Sequence, residues 1–297
     1  MTNVSGVTAG PTLEIVIVSH RCRELLVACL RSIAANPYTG GRTIVSVVDN
    51  ASGDGTVAAV RSAFADVGVV ELGANVGYSA ANNVALRATT ADLILLLNPD
   101  TEIWPGVLDA MAGVMRDFPR AGVAGCRLVR RDGTFDHAAK RSIPTVADAL
   151  RYFRPGASGS GYLAPQVAEE GAGAVDAVNG AFMLVRREAL AQVGLLDEGY
   201  WMYGEDLDWC TRMRKAGWEV RYNGAVTTLH VKGATTGAYR RPRQNVAFHR
   251  SMGRFYRRHV ASGNGLMDAI VYAGIGAKLA LSLGVSLLRR TRMRAPG

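Results

Sequence analysis

The stretch Leu93 to Thr101, which reads LILLLNPDT, decides the fold class. Its run of large aliphatic residues predicts a strand that is covered on both faces, as in the centre of a parallel sheet. Pro99 has no N–H to donate to a neighbouring strand, so the strand ends before it. Asp100 therefore follows a core strand at its carboxyl end, where open α/β sheets bind their ligands. A turn in which Asp100 bonds only its own backbone is the competing interpretation.

Apolar strands alternate with amphipathic helices on the N-terminal side of that strand. The predicted strands lie at 13–19, 43–48 and 67–72, and the predicted helices at 24–35, 57–64 and from 75–78 to about 87. This alternation predicts an α/β fold with a doubly wound, mostly parallel sheet. Because no GxGxxG or GxxxxGK[ST] motif follows the first strand, the sequence argues against a dinucleotide-binding protein and against a P-loop enzyme.

Polar residues follow the predicted strands at the point where each strand ends. They are Ser19-His20, Asp49-Asn50, Asn75 and Asn98 to Asp100. The carboxyl ends of parallel strands meet at one edge of the sheet, so we expect these side chains to share a pocket.

Beyond Asp100 the pattern is less regular. It predicts helices at 104–118 and 187–193 and strands at 122–129 and 181–185. The segment 151–174 is rich in Gly, Ser, Ala and Pro, which predicts a mobile loop over the site or an insertion.

Acidic and aromatic residues are concentrated between 194 and 218. Glu205 and Asp206 begin a predicted helix, where the helix dipole alone would stabilise them. Against that interpretation, Trp201, Tyr203 and Trp209 lie close to the acids in sequence, which is more typical of a lined pocket. Trp209 is expected along the edge of the helix.

His230 follows a strand-like segment, 226–229. A histidine in that position is either a metal ligand or a purely structural residue, and the local pattern leaves both open.

The net charge of +9 is concentrated in the C-terminal tail. From Tyr239 onward there are 12 Lys or Arg residues and one acid, Asp268. Because the positive charge is confined to the tail, the sequence argues against a nucleic-acid-binding groove across the fold. It favours binding of an anionic surface by the C-terminal end of the molecule. The four cysteines form no CxxC pair, which predicts reduced thiols in a cytosolic protein. The N-terminus has no pattern typical of a signal peptide.

The segment 267–288 is nearly continuous apolar sequence. It is long enough to span a membrane, but Asp268 and Lys278 favour a helix that lies in the membrane interface. A basic stretch interleaved with aromatic residues precedes it and suits anionic lipid or a polyprenyl diphosphate, although a solvated helix face is the alternative. Its arginines are Arg240, Arg241, Arg243, Arg250, Arg254, Arg257 and Arg258.

With these segments in order, the chain resembles the family 2 inverting glycosyltransferases of the GT-A fold, and most of all bacterial rhamnosyltransferases that use dTDP-L-rhamnose. The resemblance spans about residues 13–237. It is carried by the following segments: VSH at 18–20, VVDNASGDGT at 47–56, NVGYSAANN at 75–83, LLLNPDTEI at 95–103, VNGAFMLVRREAL at 178–190, LDEGYWMYGEDLDW at 196–209, and His230.

The resemblance implies a role for each candidate site residue. Asp100 and His230 would ligate a divalent cation, Mn²⁺ or Mg²⁺, that bridges the donor diphosphate, and Asp206 would be the catalytic base. The implied nucleotide-sugar-binding residues are Ser19, Asp49, Asn50, Asn75, Gly77, Asn83 and Asn98. Many relatives have Asp-Asp where this chain has Asp49-Asn50, so the sequence does not decide which side chain reads the base. The expected acceptor-binding residues are Trp201, Tyr203, Glu205 and Asp208.

The implied reaction is inverting transfer of L-rhamnose from dTDP-β-L-rhamnose to a hydroxyl of a polyprenyl-diphosphate-linked GlcNAc or glycan, in cell-wall or polysaccharide assembly. The same fold with UDP-galactofuranose, UDP-glucose or GDP-mannose, and a non-catalytic sugar- or lipid-binding module, are the alternatives. We expect a peripheral protein on the cytoplasmic face of the cell membrane, with a homodimer as an open possibility and no nucleic-acid partner. The expected organisation is a disordered lead at 1–12, a GT-A domain at 13–237 (nucleotide-binding half 13–103, acceptor half 104–237) and a basic, amphipathic helical membrane-associating tail at 238–297.

Overall fold

The computed structural model describes residues 10–148, 163–231, 242–261 and 263–292. Most of the predicted lead, much of the Gly-rich segment at 151–174, and Arg240 and Arg241 lie outside the described residues. Within the lead, the backbone N–H of Thr12 donates to Asp92 Oδ2 at 2.9 Å.

The helices and strands alternate through the first half of the chain as the hydrophobic pattern predicts. The strands are β1 (Leu13–Ser19), β2 (Thr43–Asp49), β3 (Gly68–Glu71), β4 (Leu93–Leu97), β5 (Thr101–Glu102), β6 (Ala121–Val129), β7 (Lys140–Arg141), β8 (Ala172–Val175), β9 (Ala177–Val178), β10 (Phe182–Arg186) and β11 (Glu219–His230). The helices are α1 (Arg23–Ala35), α2 (Thr56–Ala63), α3 (Tyr78–Ala88), α4 (Val107–Asp117), α5 (Arg187–Val193), α6 (Glu205–Lys215), α7 (Pro242–Phe255) and α8 (Gly265–Arg292).

One large mixed sheet forms the centre of the molecule, in the strand order β3-β2-β1-β4-β10-β6-β11-β5, with β8 paired to β11. The strands β1 to β4 pair in parallel, and β11 is parallel to β6. In contrast, β10 runs antiparallel to both of its neighbours. The prediction of an α/β fold with a mostly parallel sheet is therefore confirmed.

The aliphatic run of β4 occupies the middle of this sheet, between β1 and β10, and every one of its residues is buried. Leu97 pairs with Ile17 on one side and with Phe182 on the other. Burying such side chains contributes roughly 1.5–3 kcal/mol each. Asn98 to Asp100 consequently leave the sheet at a fixed point of a rigid core.

A small two-stranded sheet of β7 and β9 lies beside the large one. Arg141 pairs with Ala177 in antiparallel register. This pairing brings a cationic side chain from a remote part of the sequence to the edge of the acid-rich segment.

The tail is a helical hairpin packed on the body of the molecule. The helix α8 runs back along α7, because Val271 and Ile275 pack with Tyr256 near one end and Asn245 Nδ2 donates to Ser286 Oγ at 2.9 Å near the other. Between the helices, residues 256–260 form a short π-helical turn.

Within the described residues, one helix is long and apolar enough to cross a membrane. Its candidate segment is Gly265–Ser286, with a mean hydropathy of 1.6, and only 11% of the most apolar window is buried. The exposed large apolar side chains of this helix are Leu266, Ile270, Tyr272, Leu281 and Val285.

Candidate active site

The ends of β1 and β2 meet as predicted, since Ser19 pairs with Asp49 in the sheet. The backbone N–H of Asn50 donates to the carbonyl of Ser19 at 2.7 Å. Asn50 Nδ2 then donates to Asn75 Oδ1 at 3.3 Å and to the carbonyl of Gly77 at 3.2 Å. Ser19, Asp49, Asn50, Asn75 and Gly77 thus lie on one continuous edge.

Asp49 and its neighbour Asn50 use their side chains differently. Asp49 accepts hydrogen bonds from the backbone N–H and the hydroxyl of Ser52, so it shapes its own loop. Asn50 is bonded on both sides of its amide, because its Oδ1 also accepts from the backbone N–H of Val76 at 2.9 Å. Asn50 therefore joins two loops, while the Asp49 carboxylate keeps lone pairs for further donors.

Gly77 is approached closely by another segment of backbone, as its residue type predicts. A Cβ added to Gly77, whose φ is +93°, would lie 2.4 Å from the carbonyl oxygen of Trp201. The backbone N–H of Tyr78 donates to that same oxygen at 2.7 Å. The close approach thus joins the predicted donor loop to the predicted acceptor loop.

Asn83 is buried, and its side chain is hydrogen-bonded within the protein. Its Nδ2 donates to the carbonyl of Leu196 and to Glu198 Oε1, both at 2.9 Å, and its Oδ1 accepts from the N–H of Leu196 at 3.1 Å. These bonds anchor the loop that leads to Trp201. Asn83 therefore has a structural role in positioning that loop, and its predicted contact with the donor stays a prediction.

Asp100 faces His230 across the turn that ends β4. The turn is closed by its backbone, with the N–H of Thr101 donating to the carbonyl of Asn98 at 3.1 Å. The carboxylate lies 3.5 Å from His230 Nε2, and both residues are buried. The Asp100 side chain thus faces a potential metal ligand.

A second carboxylate lies on the other side of the His230 ring. Asp136 Oδ2 is 3.3 Å from His230 Nδ1. Burial alone lowers the pKa of His230, but hydrogen bonds to Asp100 and Asp136 outweigh it and raise the pKa to about 9. An imidazole held by a carboxylate at Nδ1 and facing a second carboxylate with Nε2 fits the donor set of a cation site. Within the described residues, no group of three or more His, Cys, Asp or Glu side chains forms a complete metal site.

Asp206 is held by three donors at the start of α6. Its Oδ2 accepts from the Arg141 guanidinium at 2.6 Å and from the backbone N–H of Gly180 at 3.0 Å. Its Oδ1 accepts from the backbone N–H of Leu207 at 2.7 Å. All three contacts stabilise the ionised carboxylate.

Glu205 has the opposite environment. Burial, followed by the negative charge of Asp206, raises the pKa of Glu205 to about 8. Burial and the neighbouring negative charge therefore favour the protonated form of Glu205 near neutral pH. Two adjacent acids with such different surroundings are suited to different tasks.

Tyr78 connects the two halves of the site. Its hydroxyl donates to the carbonyl of Gly180 at 2.9 Å. Burial raises the pKa of Tyr78, and the charges of Glu205, Asp206 and Asp100 raise it further. The predicted base and the predicted metal ligand thus act electrostatically on one hydroxyl, which indicates a common site.

Two residues of α6 are more buried than a surface helix would suggest. Asp208, which was expected to bind the acceptor, is fully buried, because Arg212 Nε donates to it at 2.8 Å and His259 Nε2 lies 2.7 Å from it. Burial raises its pKa, but these hydrogen bonds from His259 and Arg212 outweigh burial and lower it. Trp209 is buried in the core rather than placed at the helix edge, and its indole N–H donates to the carbonyl of Gly194.

Comparison with protein families identifies the chain. Residues 11–246 match the family described as "Glycosyltransferase like family 2". The chain belongs to glycosyltransferase family 2.

Curated relatives agree with this assignment. The glycosyltransferase is 33% identical over 221 residues to N-acetylglucosaminyl-diphospho-decaprenol L-rhamnosyltransferase of Mycobacterium tuberculosis, covering 69% of this chain and 71% of that protein. It is 28% identical over 161 residues to rhamnosyltransferase WbbL of Escherichia coli, covering 52% of this chain and 60% of that protein.

Solved structures share the fold of this glycosyltransferase. Mannosyltransferase PcManGT from Pyrobaculum calidifontis, solved with GDP-Man and Mn²⁺, matches with a TM-score of 0.61 at 19% identity and covers 96% of this chain and 83% of its own. GalNAc-T7, solved with UDP, GalNAc and Mn²⁺, also has a TM-score of 0.61, at 11% identity, with coverage of 84% of this chain and 48% of its own. The expectation of a GT-A fold is confirmed.

The tail of the glycosyltransferase packs against the loop that is predicted to bind the acceptor. We call residues 194–204 the aromatic loop. The Arg243 guanidinium lies 4.6 Å from the ring of Trp201, and Phe248 packs edge-on against Tyr203 at 5.7 Å. Ser251 Oγ donates to the carbonyl of Met202 at 3.1 Å. The helix α7 therefore shapes the predicted acceptor loop directly.

Sequence reasoning did not single out Tyr78, Asp136, Gly180 or Arg141 as individual site residues. Tyr78 and Gly180 lie inside segments that carry the family resemblance, so a residue-by-residue reading of those segments could have found them. Asp136 and Arg141 lie outside every such segment. Their roles depend on pairings across 94 and 65 residues of sequence, which leave no local signal.

Proposed function

We propose that this glycosyltransferase transfers an L-rhamnosyl group from dTDP-β-L-rhamnose to a hydroxyl of a polyprenyl-diphosphate-linked GlcNAc or a longer glycan, with inversion at the anomeric carbon. The observation that carries this proposal is the similarity to the M. tuberculosis enzyme, at 33% identity over about 70% of both chains. The name of that relative specifies both a rhamnosyl donor and a diphospho-decaprenol acceptor.

The donor is proposed to lie along the edge formed by β1, β2 and β4. Asp49 is the better candidate for reading the pyrimidine base, because the Asn50 amide is already bonded to the neighbouring loop. Ser19 and Asn75 border the same edge, and Asn98 lies where the ribose would pass towards Asp100.

A divalent cation, Mn²⁺ or Mg²⁺, is proposed to bind between Asp100 and His230. The 3.5 Å separation of Asp100 Oδ1 and His230 Nε2 allows one ion to contact both, and Asp136 holds the imidazole in place. The remaining ligands would be diphosphate oxygens and water. When bound, the cation neutralises negative charge on the leaving nucleoside diphosphate.

Asp206 is proposed to be the base. The acceptor oxygen forms a bond to the anomeric carbon while the bond from that carbon to the diphosphate oxygen breaks, and the acceptor proton passes to Asp206. Its Oδ1 accepts only the Leu207 N–H, so this oxygen has a lone pair for the proton. Arg141 and the Gly180 N–H hold the carboxylate in position. Protonated Glu205 is suited to donate a hydrogen bond to the acceptor or to Asp206.

Trp201 and Tyr203 are proposed to stack on the acceptor sugar, because the aromatic loop joins the donor edge at Gly77 to the tail at Arg243. The acceptor would then enter between the sheet edge and the tail.

The tail is proposed to attach the enzyme to the cytoplasmic face of a membrane, with α8 lying on the bilayer. One face of α8 packs on α7 from Tyr256 to Asn245, including polar contacts at both ends. If α8 spanned the membrane, the polar helix α7, which is paired with it, would also enter the hydrocarbon region. Burying polar groups there is unfavourable, so α8 is better suited to lie on the surface. The opposite, apolar face is exposed and is suited to the membrane interface.

The experiment is acceptor-dependent release of nucleoside diphosphate from dTDP-rhamnose, UDP-galactofuranose, UDP-glucose and GDP-mannose, with a short-chain polyprenyl-diphosphate GlcNAc acceptor. Each donor is tested with Mn²⁺, Mg²⁺ and EDTA. We expect release of dTDP that EDTA abolishes. Release from another donor alone would overturn the rhamnose assignment, and release from none, together with sugar binding in calorimetry, would favour a non-catalytic binding module.

Two variants test the base in the same assay. Asp206→Asn keeps the size of the side chain but removes its charge, and the rate should fall ~10²–10⁴-fold. Asp66→Asn, at an exposed position away from the site, is the matched control and should retain the wild-type rate.

A further inference from the structure

A cleft of about 370 Å³ lies between the aromatic loop and the helical tail, apart from the donor and base residues. It is lined by Gly199, Arg250, Gly253, Arg254, Arg257 and Tyr272. Three of these six residues are arginines, and none is an acid. The two glycines add no side chains to the cleft, so the guanidinium groups border open space.

The arginines of the cleft differ in whether they are paired with a carboxylate. Arg254 donates from Nε and from a terminal nitrogen to Asp197, with both distances 2.8 Å, and Arg258 contacts the same carboxylate. Arg250 and Arg257 are exposed and make no ion pair within the described residues. A spacing of four residues places Arg250 and Arg254 on one face of α7, and Arg257 lines the same cleft from the π-helical turn that follows. The cleft therefore has one fixed guanidinium and two that are available to a ligand.

The cleft lies against the exposed apolar face of α8. Tyr272, on the wall of the cleft, is held edge-on against Tyr256 with 5.6 Å between ring centroids. Tyr272 is itself 41% exposed, and Ile270 at 47% and Leu266 at 76% are exposed further round the same helix. A ligand in the cleft would thus place its anionic part on the arginines and its apolar part along α8.

We infer that this cleft binds the phosphate group of a membrane lipid. Guanidinium groups bind phosphate oxygens in bidentate fashion, and several of them on one helix face can share one phosphate. The position beside an unpartnered apolar helix face favours a lipid over a free anion, since headgroup phosphates lie next to the acyl region. This inference rests on the proposed attachment of α8 to a membrane.

The test is binding of the full chain to vesicles without any sugar nucleotide, so its outcome does not depend on the donor or acceptor assignment. Phosphatidylcholine vesicles carry either phosphatidylglycerol or cholesteryl hemisuccinate, matched in surface potential. Arg250→Gln/Arg257→Gln is compared with Arg31→Gln/Arg42→Gln, which removes the same charge at two exposed positions outside the cleft. Thermal unfolding reports whether each variant is folded.

We expect wild type to prefer phosphatidylglycerol over the carboxylate lipid, and the cleft variant to bind phosphatidylglycerol vesicles about tenfold more weakly or worse. The control variant should bind like wild type. Equal binding to the two lipids, or equal loss in both variants, would mean diffuse attraction to a basic surface and would overturn the site. Titration with inorganic pyrophosphate in solution completes the test. Tight pyrophosphate binding without a vesicle preference would overturn the lipid as the ligand.

Discussion

At the scale of single residues, Glu205 and Asp206 are adjacent acids with different immediate surroundings. Asp206 accepts from a guanidinium and two backbone N–H groups, whereas Glu205 is buried beside a negative charge. The sequence presents the two acids side by side at the start of a helix, and only the contacts assign the charge to one of them.

The raised pKa of Glu205 predicts a pH-dependent stability. Its folded-state pKa of about 8 lies above the unfolded value, so the folded protein binds more protons between those two values. Stability therefore falls as pH rises through this window, and Glu205→Gln, which remains neutral, should gain in Tm relative to wild type from pH 5 to pH 9. Thermal unfolding across that range measures the difference. Glu188→Gln, at an exposed glutamate, should show no such trend, and an equal trend in both variants would contradict the assignment.

Asp136 is expected to act through His230. Because its carboxylate holds Nδ1, Asp136→Asn should weaken this orientation and raise the Mn²⁺ concentration needed for half-maximal activity by roughly 10–100-fold. Activity measured against Mn²⁺ concentration gives this value. Asp132→Asn removes an exposed carboxylate four residues away and should leave the Mn²⁺ requirement unchanged. An unchanged requirement in Asp136→Asn would remove Asp136 from the cation site.

At the scale of helices, strands and loops, Gly77 is the point where the donor edge meets the aromatic loop. Gly77→Ala would place a Cβ against Trp201 and force an alanine to a positive φ, at a cost of about 1–3 kcal/mol for the backbone conformation alone. Urea unfolding and the KM for the acceptor should both change. Gly73→Ala meets no atom within 4 Å and is the control. Wild-type values in Gly77→Ala would show that the two loops are not coupled there.

The fold was largely predictable because burial is recorded in local composition. The aliphatic run of β4 and the alternation before it correctly predicted the parallel strands β1 to β4 and the helices between them, and the prediction for β1 matches its residues fully. The antiparallel direction of β10 and the pairing of β7 with β9 were not predictable, since strand pairing between distant segments has no local signature. Arg141 reaches Asp206 only through that pairing.

The burial of the acids of α6 was also not predictable from local sequence. Asp208 was expected to bind the acceptor, and it is buried because His259, 51 residues later, packs against it. A helical pattern reports which side chains are polar but not which later segment will pack on them.

At the scale of the whole molecule, the tail packs on the catalytic body, in addition to its proposed role at the membrane. Arg254 and Arg258 belong to the basic stretch that was expected to meet anionic lipid or a polyprenyl diphosphate, or to form a solvated helix face, and both contact Asp197 in the aromatic loop. The helix α7 thereby holds the aromatic loop, while α8 presents its apolar face outward. The proposed membrane attachment and the proposed acceptor site would consequently share one structural support.

The outward face of α8 can be tested with a single charge. Leu281 is 70% exposed, so Leu281→Glu should fold normally but bind lipid vesicles less, because a carboxylate is unfavourable in the acyl region. Vesicle flotation measures the bound fraction. Val70→Glu is the control, because Val70 is another exposed apolar residue and lies on β3, an edge strand of the large sheet. This variant should float like wild type. Equal flotation of both variants would mean that α8 does not contact the bilayer.

The most direct test of the central claim is the anomeric configuration of the product. The enzyme is incubated with dTDP-β-L-rhamnose and the short-chain polyprenyl-diphosphate GlcNAc acceptor, and the new linkage is read by its one-bond carbon–hydrogen coupling in NMR. A single displacement with Asp206 as base predicts an α-L-rhamnosyl product. A β-L-rhamnosyl product would contradict it, because retention of configuration cannot arise from one direct attack opposite the diphosphate.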